Sequence, residues 1–393
     1  MALSVGKTIA RGSHRAAVTR SMATAASQRG IPSLAILNDY LDTSVPHFSH
    51  IPPSKLAITR VPDAAVSGDD SSVAALAARL APFTLVSTMR ERTPFPAALL
   101  RQLPNLKVLL ATGTQFETFD LAAAKELGIT VVAAPGRGRT DRPRDALQPN
   151  IKTGSGHPTV QHTWALILAL ARNVAADDAV LRAGPGWQSG LAIGLSGKTF
   201  GVLGLGRLGA AAARIAVLAW GMRVVCWSAN MTQERADSVA AGLGLPVEMN
   251  GEKTFRAVSK EELFQEADVV SLHYVLSPRS QGLVGEAELG LMKPEALLVN
   301  SSRGPLIDGD ALLHALEGGK IHGAALDVFD VEPLPADSPW RKKDYWGQNG
   351  RSKLLITPHM GYVNKDLMNN WYEETAENVE RWLDNKELLH RLV

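Results

Sequence analysis

Apolar and polar positions along this chain follow two periods. From residue 199 onward, short apolar runs trade places with stretches whose apolar positions recur every three to four residues. Runs of the first kind predict buried strands of a parallel sheet, and the second kind predict amphipathic helices. The predicted order is strand 199–203, helix 207–220, strand 222–227, helix 232–241, helix 259–266, strand 268–272, strand 296–300, helix 308–317, strand 323–328 and strand 354–356. Ser259 with Glu262 makes a capping box at one helix start, and Gly318-Gly319 ends another helix. Such an alternation is that of a doubly wound sheet.

The first half repeats the alternation less regularly. Strands are predicted at 34–37, 84–89, 106–111 and 129–133, with helices at 72–80 (capped by Ser71) and 120–127 (stopped by Gly128). A Pro-, Ser- and Asp-rich stretch up to about residue 70 carries no predicted element. Between Pro135 and Pro158 the period is lost in a run rich in Gly, Pro and Arg, read as a mobile surface insertion with a solvated His157 at its end. Thr159 is read as the cap of a long apolar helix, 160–172, leading into the second domain. The amphipathic run 365–384 is expected to pack back on the first. The chain thus reads as α/β, with two doubly wound parallel-sheet domains: 31–158 with 363–393, and 159–362.

Between strand 199–203 and its following helix lies GLGRLG, Gly204 to Gly209. In that setting the motif reads as a dinucleotide turn. Gly204 allows the tight bend, Gly206 lets the backbone approach a pyrophosphate, Gly209 permits close helix–strand packing, and the amides of Arg207 and Leu208 open the helix toward the phosphates. An acid is expected at the end of the second strand to bind the ribose hydroxyls. Ser228 falls there, followed by Ala229 and Asn230. A missing carboxylate removes the repulsion that would bar a 2′-phosphate, and Arg235 is the nearest downstream cation. NAD and NADP both stay open, with a slight lean to NADP.

Three later segments carry groups suited to proton-coupled hydride transfer: NSSRGP with Arg303, DVFDVEP with Glu332 and TPHMGY with His359. Arg303 follows strand 296–300, and His359 follows the last strand, so both belong to strand C-terminal ends, where open α/β sheets bind ligands. A guanidinium can hold a carboxylate in a fork and polarise a keto oxygen. Histidine is the natural acid/base near neutral pH, and a glutamate beside it would stabilise the imidazolium.

In their order and residue types, these four segments resemble the D-isomer-specific 2-hydroxyacid dehydrogenases over about residues 34–393, apart from apparent insertions at 137–154 and 341–353. The resemblance implies a Rossmann cofactor domain at 159–362 and a smaller flavodoxin-like substrate domain from the remainder. It implies that Arg303 binds and polarises substrate, that His359 is the acid/base and that Glu332 tunes it. By the same resemblance, Asp327 holds a nicotinamide carboxamide and the Thr112-Gly113-Thr114 loop binds the substrate carboxylate through its amides. His273 stands where relatives contact the cofactor through a His-x-Pro-Leu run, although this chain continues Tyr274-Val275-Leu276. WSANMT and HTWALILALAR resemble a phosphoglycerate-dehydrogenase-like subgroup, a label that says little about substrate. A homodimer is also expected from the resemblance, through the cofactor domain. Two alternatives differ in class. One is a dinucleotide-sensing corepressor on the same fold; the other is formate dehydrogenase, which has a glutamine where Glu332 stands.

Composition narrows the picture. At 393 residues with 45% apolar and 20% charged side chains, the chain is that of a globular protein. The longest apolar run near its middle is too short to span a bilayer. One cysteine, Cys226, excludes an intrachain disulfide. Residues 1–30 hold Lys7, Arg11, Arg15, Arg20 and Arg29 with no acid; without those five, 36 basic side chains face 39 acidic ones. That balance gives no reason to expect a nucleic-acid partner, and no metal site is read in the chain. The Ala/Ser-rich, acid-free leader has the composition of a mitochondrial transit peptide, with a cytoplasmic form as the alternative.

Overall fold

The computed structural model describes residues 30–62, 64, 70–114, 116–142 and 156–393. The leader and most of the 137–154 insertion therefore lie outside the described residues. The chain divides into two compact units, Met1–Leu147 with Lys365–Val393, and Gln148–Asn364.

The first unit is built on five parallel strands, β1 (Ser33–Leu37), β2 (Ala57–Val61), β3 (Leu85–Thr88), β4 (Val108–Thr112) and β5 (Thr130–Ala134). Their order, β2-β1-β3-β4-β5, is the flavodoxin-like doubly wound topology. Strands β1, β3 and β4 are buried at every position, as apolar runs covered on both faces must be. One core gathers Val86, Leu109 and Val131 against Leu76, Leu80, Leu99 and Phe119 from the flanking segments. Strand β2 lies at the sheet edge with one buried residue among five, which is why its sequence carries no continuous apolar run.

Helix Lys365–Leu383 explains why part of the predicted insertion is not mobile. Glu374 and Glu377 are 3% and 2% exposed, an unusual burial for acids. Each is matched by loop donors: Glu374 accepts from the amides of Gly136 and Arg137, and Glu377 from the amide and hydroxyl of Thr140. Arg139, itself buried, bridges Asp141 and Glu380. Residues 136–142 are thereby held by hydrogen bonds from side chains to backbone and to other side chains, a form of order that leaves no hydrophobic period in the sequence.

The second unit carries seven parallel strands. They are β6 (Thr199–Leu203), β7 (Arg223–Trp227), β10 (Arg256–Ala257), β11 (Val269–Leu272), β12 (Leu297–Asn300), β13 (Gly323–Leu326) and β14 (Lys353–Ile356), while β8 (Glu248–Met249) and β9 (Glu252–Lys253) form a separate hairpin. The order β10-β7-β6-β11-β12-β13-β14 is that of a Rossmann sheet extended by one strand. Alternate residues of β6 serve opposite faces: Phe200 and Val202 pack with Trp164 and Ala213 on one side, and Leu203 packs with Leu263 and Val270 on the other. Helix Pro158–Ala171 lies on the first face, where Trp164 stacks on Phe200 with centroids 5.4 Å apart. Its cap is His157 rather than Thr159. The His157 Nδ1 accepts from the Thr159 amide at 3.2 Å, and Pro158 takes the first helical position, where no donor is needed. Helix Val174–Ala183, unpredicted by the period, has no buried side chain. No helix of the described residues is long and apolar enough to cross a membrane.

Candidate active site

The strand order places the predicted groups of the second unit along one edge of its sheet. Reading across the C-terminal ends, Ser228 follows β7, the glycine turn follows β6, His273 follows β11, Arg303 lies past β12, Asp327 follows β13 and His359 lies past β14. The chain reverses its direction of travel between β6 and β11, the switch point at which open sheets of this kind accept a ligand.

The glycine turn fits a pyrophosphate. Gly204 has φ +95°, and a Cβ there would lie 2.7 Å from the His273 carbonyl oxygen. A Cβ on Gly209 would lie 2.1 Å from the Gly204 carbonyl oxygen, so helix Arg207–Trp220 can meet the turn only without a side chain. Gly206, in contrast, borders open space: a Cβ on it would meet no atom within 4 Å. It caps the helix with no side-chain hydrogen bond, leaving the amide end of a 14-residue helix directed at that space. These residues suit a dinucleotide phosphate.

Around the adenosine end, Met231 donates its amide to the Ser228 carbonyl, and Ala229 donates to the Tyr274 hydroxyl at 3.2 Å. The Tyr274 ring stacks on Trp227, centroids 5.8 Å apart. Arg235 Nη1 donates to the Asn230 carbonyl at 3.0 Å, which draws the guanidinium back to the end of β7. His273 has a partner at its own strand end. Its Nε2 lies 2.9 Å from the hydroxyl of buried Ser271, and burial lowers its pKa to about 4, so it is neutral at neutral pH. Its main chain lies against Gly204 and its Cβ against Gly209.

Arg303 is positioned by its own loop. The Asn300 amide group donates to the Arg303 carbonyl at 2.9 Å and accepts from the Ser302 amide at 3.0 Å, closing a turn just past β12. Next to it, Gly304 lies so close to Phe329 and Asp330 that a Cβ would sit 2.1 Å from the Phe329 carbonyl carbon. This contact brings the Arg303 loop against the segment leading to Glu332.

Glu332 and His359, expected to act together, form a pair. Glu332 Oε1 accepts from the Phe329 amide at 2.9 Å, and Oε2 lies 2.5 Å from His359 Nδ1. Because a carboxylate only accepts, Nδ1 carries the proton of this bond and Nε2 remains for chemistry. Both side chains keep some access to solvent, and Tyr362 meets the imidazole edge-on at 5.3 Å.

His359 itself has φ +54°, a left-handed conformation costing a non-glycine residue about 1–2 kcal/mol. Asp327 offsets this cost. Its carboxylate, 0% exposed, accepts from the Met360 amide (2.7 Å), the Gly361 amide (2.8 Å) and the Thr357 hydroxyl (2.6 Å), and lies 3.1 Å from His162 Nε2. Its carbonyl accepts from the His359 amide. Burial pushes the carboxyl pKa up, but the bonds from His162, Thr357 and Met360 pull it further down, below the usual aspartate range. With three donors on Oδ1 and one on Oδ2, Asp327 anchors the His359 turn. His162 and Thr357, absent from the sequence-based candidates, enter the site here.

In the first unit, the Thr112 hydroxyl is buried and tied to the Thr88 carbonyl and the Arg90 amide. The Gly113 amide is given to the Ala134 carbonyl at 2.8 Å, so it is committed within the sheet rather than offered to a carboxylate; Thr114 is exposed. Among the described residues, no group of three or more His, Cys, Asp or Glu is placed to hold a metal.

Comparison with known proteins follows the same lines. Residues 164–361 match the family described as D-isomer specific 2-hydroxyacid dehydrogenase, NAD binding domain. A glyoxylate reductase of Aeropyrum pernix is 33% identical over 296 residues, 73% of this chain and 76% of the relative. A D-3-phosphoglycerate dehydrogenase of Mycobacterium leprae is 32% identical over 74% of this chain, which spans only 48% of that protein. The crystal structure of a phosphoglycerate oxidoreductase from Vibrio cholerae O395 superposes with a TM-score of 0.71 at 29% identity, covering 90% of this chain and all of that one. With a Rossmann sheet, a phosphate-fitting glycine turn and these relatives, the chain belongs to the D-isomer specific 2-hydroxyacid dehydrogenases, enzymes that use NAD(P) to move hydride between 2-oxo acids and D-2-hydroxy acids.

Proposed function

We propose that Arg303, Glu332 and His359 carry the reaction, acting on a small 2-oxo acid. The observation that carries this reading is the Glu332–His359 contact at 2.5 Å, which occupies Nδ1 and leaves Nε2 for proton transfer, while the loop of Arg303 lies against the segment leading to Glu332. A dinucleotide held at the Gly204–Gly209 turn would supply the hydride that reduces the keto carbon. Arg303 binds the substrate carboxylate and draws charge toward the keto oxygen. His359 gives its Nε2 proton to that oxygen as the alcohol forms, and takes it back in the oxidative direction, while Glu332 keeps Nδ1 protonated and neutralises the imidazolium.

For the cofactor, NADP is favoured. Ser228 stands where a ribose-binding acid would repel a 2′-phosphate, and Arg235 is held to the Asn230 carbonyl at the same strand end. The homodimer reading has support in exposed apolar side chains of the cofactor unit: Trp187 is 73% and Leu191 94% exposed, beside a helix that buries nothing of its own. A mitochondrial address rests on the composition of residues 1–30 alone.

Initial rates of NADH and NADPH oxidation against glyoxylate, hydroxypyruvate, pyruvate, phenylglyoxylate, 2-oxoisocaproate and phosphohydroxypyruvate test the reading. The expected result is turnover of a small member of the panel, faster with NADPH, and a shift of preference toward NADH in Ser228→Asp. Full turnover in His359→Ala would overturn the acid/base assignment.

A further inference from the structure

Asp327 can hold the His359 turn only if its own carboxylate is held, and the bonds around it show how. His162 Nε2 lies 3.1 Å from Asp327 Oδ1 and also 3.1 Å from Thr357 Oγ1. The Thr357 hydroxyl sits 2.6 Å from the same Oδ1. Counting protons fixes each direction. The carboxylate only accepts, so the single Thr357 proton goes to Asp327, and the Thr357 oxygen can then only accept from His162. His162 Nε2 therefore carries a proton shared in a fork between the carboxylate and the hydroxyl. The fork joins helix Pro158–Ala171 to residues just past β13 and β14, the second of them two positions before His359.

We propose that His162 is a positioning residue for His359, acting through Asp327 and Thr357 to fix the turn at 357–361 in its left-handed form. The inference rests on the reading of His359 as the acid/base. His162 does not meet the reacting atoms; it keeps Asp327 Oδ1 in line with the Met360 amide, and so keeps His359 Nε2 aimed at the substrate oxygen.

The test compares full-length His162→Leu, His162→Gln and His359→Ala, with NADPH affinity by fluorescence titration and kcat and KM for the best keto acid. In His162→Leu, kcat is expected to fall about 10- to 100-fold, as a small misalignment of a reacting group does. NADPH affinity and the keto-acid KM should stay near wild type. The glutamine Nε2 donates from nearly the same place as the imidazole Nε2, so His162→Gln should regain most of the lost kcat. Wild-type kcat in His162→Leu, or a loss in His162→Gln as deep as in His162→Leu, overturns the inference. If His162→Leu does not fold, Thr357→Val removes the hydroxyl arm of the fork and the Thr357–Asp327 bond, leaving the His162–Asp327 contact, and must show a selective loss of kcat. Turnover surviving in His359→Ala would refute the acid/base reading itself. Loss there with none in His162→Leu refutes the positioning role alone.

Discussion

Replacing Asp327 by Asn measures how much the buried clamp contributes. All four groups that meet this carboxylate donate: the Met360 and Gly361 amides, the Thr357 hydroxyl and His162 Nε2. Asparagine keeps the shape but offers one acceptor oxygen and one NH2. In its better orientation the oxygen serves the three Oδ1 donors, and the NH2 faces the Gly361 amide donor to donor. One unsatisfied buried donor costs about 1–3 kcal/mol, and the other three bonds lose their charge assistance, for a total of about 3–5 kcal/mol. For a folding unit of this size, Tm should drop by about 6–20 °C. The pH dependence identifies the cause. Because the Asp327 carboxyl is held below its ordinary value, its ionised form stabilises the fold above the unfolded pKa of 3.8, and that contribution is lost as pH falls through the lower folded value. The Tm gap between wild type and variant should thus be widest near neutral pH and close below about pH 4. Scanning calorimetry in steps from neutral to acid pH, with kcat measured alongside, reads both effects. A gap under about 2 °C at neutral pH, or one that does not change with pH, would refute the reasoning.

Gly209→Ala would push a Cβ to 2.1 Å from the Gly204 carbonyl oxygen, opening the phosphate turn; at about 1–3 kcal/mol of overpacking, dinucleotide Kd should rise roughly 5- to 150-fold by titration, and unchanged binding would sink the assignment of this turn. Glu332→Gln must leave one of two donors, the Phe329 amide or His359 Nδ1, facing its NH2 unless the imidazole changes tautomer. We expect kcat to fall about 10- to 100-fold with little change in keto-acid KM, and an unaltered kcat would show that Glu332 does not act through His359. Arg139→Ala removes the bridge to Asp141 and Glu380, so amide exchange across 136–142 should accelerate while that of β6 and β7 stays fixed; equal protection in both forms would mean that Glu374 and Glu377 hold the loop by themselves.

Much of the fold was legible because its signals are local. The runs at 199–203 and 222–227 and the helix between them declare themselves by period, and GLGRLG is read by its place between strand and helix. The capping box at Ser259 and Glu262 stands as the spacing predicts. Elements without a buried stripe were not legible: the edge strand β2 buries one residue, and helix Val174–Ala183 buries none. Thr159 looked like a cap because its type suits one, yet the backbone turns one step earlier, at His157.

The sequence by itself determined which chemistry is present and roughly where: a cation past β12, an acid past β13, an imidazole past β14, and a glycine turn past β6. Residue type sets what a side chain can donate, accept or carry, and period sets which strand end it follows. Tertiary structure decided the partners. It joined Glu332 to His359 and wrapped the His359 turn around Asp327. It also turned the His273 ring toward Ser271 and committed the Gly113 amide to Ala134. Each of these rests on a hydrogen bond whose two ends meet only through the local path of the folded backbone, and no pattern of residue types along the chain encodes that path directly.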